Sequence, residues 1–346
     1  MTAPSLASDR PVIRLRPKMD TRRIRHGFPW AYANEVVTDR RTRAMAPGTI
    51  AVLEDSHRTP LALVAVNPAS KIIARVIDMD VGADVDANWF KARLAKALNL
   101  RDRLFDAPYY RLIHAEADGL PGVVIDRFDD VLVIQPNAAW ADARIDLLSE
   151  AALAVTGART VLKNASGRAR SLEGLDDVSA VLQGTAPAAP IPVPMNGATY
   201  MADVMGGQKT GLFYDQRPNH AFVAGLARDA RVLDMFSHVG GFGLAALAGG
   251  AISALFVDGS APALALATQG AAAMDASDRF EARQGDAFDV LTTLGQENRT
   301  FDLVICDPPA FAPAKPALDA GLRAYERVAR LSAALVAPNG ILALCS

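Results

Sequence analysis

The chain has 346 residues, 51% of them hydrophobic and 21% charged, with a formal net charge of -2. That length suits about two to three domains, and the composition excludes a disordered chain, a coiled coil and a collagen-like repeat. The longest nearly apolar run, from Phe242 to Phe256, is shorter than the roughly 20 residues a bilayer span needs. The N-terminus shows no basic or apolar signal region. Cys306 and Cys345 are the only cysteines, too few for a disulfide framework or a four-cysteine zinc site. A protein of the reducing cytoplasm is expected, with no membrane partner and no metal. The charge is uneven: residues 1–80 hold 13 Lys/Arg against 8 Asp/Glu, a balance of +5, and the remainder is acidic.

Residues 11–80 read as a small β-rich domain. Ile50–Leu53 and Leu61–Val66 are apolar runs broken by turn residues. Arg14, Arg16, Lys18, Arg22, Arg23 and Arg25 crowd ahead of Trp30 and Tyr32. Basic groups beside aromatics are what RNA binding uses, so Arg22, Arg23 and Trp30 are candidate RNA contacts. A solvated face around a core Trp30 accounts for the same residues.

Residues 85–190 read as an α+β domain. The pattern predicts a helix over Asp86 to Phe105 and a hairpin of Gly122–Phe128 with Val131–Gln135. A helix over Ala141 to Val155 and a strand at Thr160–Leu162 follow. Four prolines between Gly184 and Pro194 predict an extended connection.

Residues 191–346 form the third expected domain. From Arg231 strands and helices alternate: strands at Val232–Phe236, Ala254–Asp258, Arg279–Asp286, Phe301–Asp307 and Gly340–Cys345, with helices between. Such alternation predicts a parallel, doubly wound α/β sheet whose ligand lies beyond the carboxyl ends of the strands. The first strand runs into Asp234-Met-Phe-Ser-His-Val-Gly-Gly-Phe-Gly243, where Gly240, Gly241 and Gly243 allow a tight turn. Neither a dinucleotide fingerprint nor a phosphate loop is present. Asp258 ends the second strand, where it can accept from ribose hydroxyls. Gly285-Asp286-Ala287 follows the third, where a carboxylate can meet an adenine amine. Asp307-Pro308-Pro309-Ala310-Phe311 follows the fourth, a rigid loop able to hold a planar base against Phe311 while Asp307 contacts its polar edge.

That order of acidic positions resembles the class I S-adenosylmethionine-dependent methyltransferases. Gln208-Lys209-Thr210-Gly211 with Asp215-Gln216-Arg217, the Asp234–Phe242 loop, the Asp307–Phe311 loop and His26–Glu35 together are closely similar to one family. It comprises ribosomal RNA large-subunit methyltransferases that join a PUA-like domain, a small α+β domain and a Rossmann-like methyltransferase domain. The resemblance implies S-adenosylmethionine contacts from Lys209, Gly211, Asp215, Arg217, Asp234, Phe236, Ser237, Gly240, Asp258, Gly259, Asp286, Ala287 and Asp307. Pro308, Pro309 and Phe311 would hold the base. Members of the family can pair as dimers.

The most familiar member makes 5-methylcytosine in 23S rRNA. Carbon 5 of cytosine is not nucleophilic, so that chemistry needs a thiolate to add to C6. Cys345-Ser346 resembles the family's nucleophile motif, with Asp307 as its catalytic neighbour. Cys306, inside a strand, reads as a core thiol. The alternatives are methylation of a ring or amino nitrogen, which needs no cysteine, and a noncatalytic RNA-binding assembly factor. The chain stops just after its fifth predicted strand, so the terminal antiparallel hairpin usual in such sheets is expected to be missing. Ile341 and Leu344 would then lie on an exposed edge, and low stability and weak turnover are expected.

Overall fold

A computed structural model of the chain describes residues 10–206, 211–312 and 315–345. It divides into two compact units, Met1–Ala186 and Pro187–Ser346.

The first unit holds two sheets. Strands β1 (Val12–Arg14), β2 (Trp30–Ala31), β3 (Thr49–Glu54), β4 (Pro60–Val66) and β5 (Ala74–Asp78) form a sheet in the order β1-β3-β4-β5-β2, with the single-turn helices α1 (Arg22–Arg25) and α2 (Arg40–Arg43) in its connections. Helix α3 (Ala87–Leu104) follows, started by the Asp86 carboxylate, which accepts from the Trp89 backbone N–H at 2.8 Å. Strands β6 (Tyr109–His114), β7 (Val123–Phe128), β8 (Val131–Pro136), β9 (Thr160–Lys163) and β10 (Ala180–Gln183) form the second sheet. Its helices are α4 (Ala139–Asp142), α5 (Ile145–Thr156) and α6 (Arg168–Leu172).

The two domains expected over 11–80 and 85–190 thus form one unit, and β4 shows why. Its apolar run is buried from Leu61 to Val66. Ala62, Val64 and Val66 pack into the core of the first sheet, whereas Leu63 and Ala65 pack with Phe90, Leu94 and Trp140 of the second. Strand alternation hands one segment to two cores. Polar ties add to this: Arg75 pairs with the buried Glu173 at 2.7 Å, Asn67 donates to Glu173, and Trp30 Nε1 donates to Glu116 at 2.9 Å. The single helix expected over Ala141 to Val155 is broken between α4 and α5, where the Arg144 guanidinium donates to the carbonyls of Gly48 and Trp140.

The second unit opens with a hairpin, β11 (Ile191–Met195) and β12 (Ala198–Ala202). The proline-rich stretch therefore pairs as a strand. Pro192 and Pro194 alternate with the buried Val193 and Met195, which puts both prolines on the exposed face of a two-stranded ribbon. After α7 (Arg217–Leu226) come β13 (Arg231–Met235), α8 (Gly241–Ala248), β14 (Ser253–Asp258), α9 (Ala261–Ala273), β15 (Phe280–Gln284), α10 (Ala287–Gln296), β16 (Phe301–Cys306), α11 (Leu318–Ala333) and β17 (Val336–Leu344). The sheet order is β15-β14-β13-β16-β17 and every pairing is parallel, the doubly wound arrangement that the alternation predicts. The order reverses between β13 and β16, which makes the crevice above them the expected ligand position.

Helix α8 lies tight on the sheet because Gly243 faces the Phe256 ring; a Cβ there would overlap the ring carbons. Gly243→Ala is expected to destabilise the chain by about 1–3 kcal/mol in urea melts. Adding Phe256→Leu should recover part of the loss. Strict additivity of the two substitutions would disprove this contact.

Candidate active site

The loop after β13 is built from backbone that side chains rarely adopt. Phe236, His238 and Gly240 have φ of 62°, 50° and 88°, and left-handed conformations at bulky residues mark functional loops. Hydrogen bonds to the neighbouring strands hold the loop. Ser237 N–H donates to the Val257 carbonyl at 3.0 Å, His238 N–H to Asp258 Oδ2 at 2.8 Å, and Gly243 N–H to Asp234 Oδ2 at 2.7 Å. Above the loop lies a cavity of about 610 Å³, within the usual size range of a small-molecule site.

Of the predicted residues, Asp215, Phe236, Ser237, Asp258 and Gly259 line this cavity, and so do Asp307, Pro308 and Pro309. Others are elsewhere. Asp234 is fully buried beneath the loop, and among the described residues its Oδ1 has no hydrogen-bond partner. Gly240 and Gly211 shape the backbone at φ of 88° each but do not line the cavity, and neither does Arg217, whose carbonyl accepts from Asn196. Asp286 is exposed and caps α10, accepting from the N–H groups of Phe288 and Asp289; Ala287 is the first residue of that helix. A carboxylate after a strand can serve the next helix, and here it does. Phe311 is half-buried and packs among Phe236, Phe288 and Tyr325, its ring centroid 4.9 Å from that of Tyr325. Lys209 lies outside the described residues.

His220 is the residue that the motif reading missed. It is 3% exposed, lines the cavity, and stands against Phe242 at 4.5 Å between ring centroids. Its position on α7, four residues after the cavity-lining Gln216 that precedes the helix, is the signal that was available.

The cavity is acidic. Burial pushes the Asp234 carboxyl up to about 8, with the Asp307 and Asp258 charges adding to it and the Gly243 bond opposing. Burial, and then Asp215, also raises Asp307. Burial pushes His220 down to about 4 against the pull of Asp215, so its imidazole is neutral. A cationic ligand suits such a site. Ser237 Oγ is buried in the cavity wall with no hydrogen-bond partner among the described residues. Each Asp258 oxygen accepts one backbone N–H, from His238 and from Ser260, which leaves lone pairs for hydroxyl donors.

Cys345 is half-buried, its N–H donating to the Cys306 carbonyl at 2.9 Å. It lines a second, more apolar cavity of about 610 Å³ with Leu322, Tyr325 and Leu344. Pro308 lines both cavities. Cys306 is fully buried and burial raises its thiol to about 12, in keeping with a core role.

The S-adenosylmethionine-dependent methyltransferase family matches residues 154–346, and the PUA-like domain family matches residues 13–78. The chain belongs to the S-adenosylmethionine-dependent methyltransferases. The methyltransferase is 34% identical over 95% of its length to a Shewanella frigidimarina protein named ribosomal RNA large subunit methyltransferase I, covering 84% of that protein. It is 34% identical to the protein of that name in Cronobacter sakazakii, covering 91% of this chain and 80% of that one. A solved Streptococcus mutans structure described as a SAM-dependent methyltransferase shares the fold at a TM-score of 0.79 and 19% identity, with 96% of this chain and 84% of that one covered. Among the described residues no helix is long and apolar enough to cross a membrane, and no cluster of side chains could hold a metal ion.

The cavity fits the cofactor of this family: unsatisfied polar groups in the wall, a strand-end carboxylate, and negative charge facing a sulfonium. Asp258→Ala is expected to weaken S-adenosylmethionine binding tenfold or more by calorimetry; an unchanged affinity would remove Asp258 from the site. A second prediction concerns pH. Asp234 titrates near 4 unfolded and near 8 folded, so the folded chain holds an extra proton and stability falls as pH rises through that window. His220 acts oppositely, adding stability as pH rises from about 4 to 6.5 and nothing beyond. Between pH 6.5 and 8 the wild type should therefore lose roughly 1–2 kcal/mol relative to Asp234→Asn. A difference independent of pH in paired urea melts would show that Asp234 is ionised throughout.

Proposed function

We infer that this methyltransferase modifies a base of large-subunit ribosomal RNA, and that the base is a cytosine methylated at C5 through Cys345. The named relatives support the RNA class. The observation that carries the finer reading is the Asp307-Pro308 loop: Pro308 borders both the cofactor cavity and the apolar cavity that contains Cys345. A base seated over Pro308 would meet the thiol from one side and the methyl donor from the other.

S-adenosylmethionine, when bound, supplies an electrophilic methyl group. Cys345 Sγ, as thiolate, bonds to C6 of the cytosine, and the displaced electron pair makes C5 nucleophilic. C5 takes the methyl as its bond to the donor's sulfonium breaks and leaves a neutral thioether; C5 then loses its proton to a general base, and the C6–sulfur bond breaks to return the thiolate. Asp307, its carboxyl raised by burial, can hold a proton toward the polar edge of the base.

One observation favours the nitrogen-methylating alternative. Burial, then Asp307 and Asp234, raise the Cys345 thiol and so disfavour the thiolate in the free protein. Cys345→Ala and Cys306→Ala decide between the two. With radiolabelled S-adenosylmethionine and protein-free large-subunit rRNA, Cys345→Ala should lose methyl transfer at least a thousandfold while cofactor affinity stays within twofold. Cys306→Ala should keep its activity. The wild-type rate should also climb with pH through the neutral range, as the raised thiol requires. Full transfer by Cys345→Ala would establish nitrogen chemistry, and 5-methylcytosine in the digested product would exclude it.

A further inference from the structure

The basic N-terminal domain distributes its charge in a way that the sequence does not show. Arg22 pairs with Asp20 at 3.3 Å. Arg23 pairs with Glu35 at 3.0 Å and lies over the Phe28 ring at 4.1 Å. Arg10 and Arg14 are paired with Asp84 and Glu54. Trp30 is half-buried, edge-on to Phe28 and Tyr32, with its N–H held by Glu116. Arg23 and Trp30 are thus engaged within the fold, and Arg22 forms an exposed pair with its neighbour Asp20.

Helix α2 is different. Arg40, Arg41 and Arg43 are all exposed, and among the described residues none of them makes a salt bridge. The adjacent carboxylate, Asp39, accepts from the Thr42 backbone N–H at 2.8 Å and fixes the start of the turn. Thr42 is the buried residue, its hydroxyl donating to the Val37 carbonyl, so the turn is anchored with its arginines outward. Other cations of this domain without a salt bridge among the described residues, such as Lys18, Arg25 and Arg58, are more dispersed, whereas α2 carries three within four residues. The surface is also separate from α1. Arg16 N–H donates to the Glu35 carbonyl and Val37 N–H to that of Arg14, an antiparallel pair from which the chain leaves toward α1 in one direction and toward α2 in the other.

We propose that Arg40, Arg41 and Arg43 form the principal phosphate-binding surface of the N-terminal domain, the place where it grips the backbone of its RNA. Guanidinium groups match phosphate geometry, and α2 exposes no aromatic or long apolar side chain that would suit a membrane or an apolar peptide. A backbone-binding surface of this kind contributes affinity and orientation but no sequence choice. The proposal rests on the ribosomal RNA reading, and it moves the main contact away from Arg22 and Arg23.

The test is the salt dependence of binding to protein-free large-subunit rRNA, measured by filter binding of the full chain between 0.05 and 0.3 M KCl. Each phosphate contact contributes about 0.7–0.9 to the slope of log K against log salt. Arg40→Gln/Arg41→Gln/Arg43→Gln should flatten the slope by about two and weaken binding roughly tenfold or more at 0.1 M salt. Arg40→Lys/Arg41→Lys/Arg43→Lys should keep the slope, and Arg22→Gln/Arg23→Gln should change it by less than about one. Should the triple glutamine variant fail to melt with the wild type, Arg41→Gln alone should show about a third of the effect. A wild-type slope in a folded triple glutamine variant overturns the α2 surface and leaves the RNA reading standing. Absence of salt-dependent rRNA binding by the wild type, with S-adenosylmethionine still bound, overturns both.

Discussion

The hydrogen bond from Gly243 N–H to the buried Asp234 carboxylate joins the end of β13 to the first turn of α8 across the glycine-rich loop. Everything in the candidate site depends on that closure. It holds Phe236 and His238 in left-handed backbone, which would relax if the ends were free. It also stations Ser237 and the Asp258 carboxylate at the rim of the cavity. The carboxyl that does this sits fully buried, and burial, with the Asp307 and Asp258 charges adding to it, raises its titration, so ionising it carries an energetic cost. A ligand bearing positive charge offsets that cost when it binds, which couples cofactor affinity to the same electrostatics that shape the loop.

The fold of the second unit was legible because parallel sheets impose a pattern. Buried strands such as Val232–Met235 and Val304–Cys306 read as apolar runs, and the residues after them read as loops with chemistry. The positions of Asp258 and Asp307 at the strand ends, where they line the cavity, were legible for the same reason. The partners that Asp286 and Phe311 have in the fold were not legible, because a sequence lists what a side chain can bind and not which partner reaches it first. Asp286 has two backbone N–H groups one turn ahead, and Phe311 has three aromatic neighbours brought from α10, α11 and the β13 loop. His220 was missed because nothing marks a lone histidine on a helix until the facing loop is known.

The N-terminal unit carries the same lesson in charge. Basic residues are visible in the sequence, but the carboxylates that neutralise them come from anywhere along the chain: Glu35 for Arg23, Glu54 for Arg14, Asp84 for Arg10. Local charge density therefore favours the crowded segment around α1, whereas the three arginines of α2 make no salt bridge among the described residues. The proline-rich stretch shows the converse, a segment whose exclusion from helix was clear but whose strand pairing depended on the prolines falling on alternate, outward positions.

The sharing of β4 between two cores has a dynamic consequence. Ala62, Val64 and Val66 cannot leave the first core without withdrawing Leu63 and Ala65 from the second, so neither sheet can open independently through that strand. The backbone amides of β4 should then exchange with solvent only when the whole first unit unfolds, as one cooperative block rather than two domains breathing separately. An RNA pulling on the small β-rich sheet would thus meet the stiffness of the entire unit.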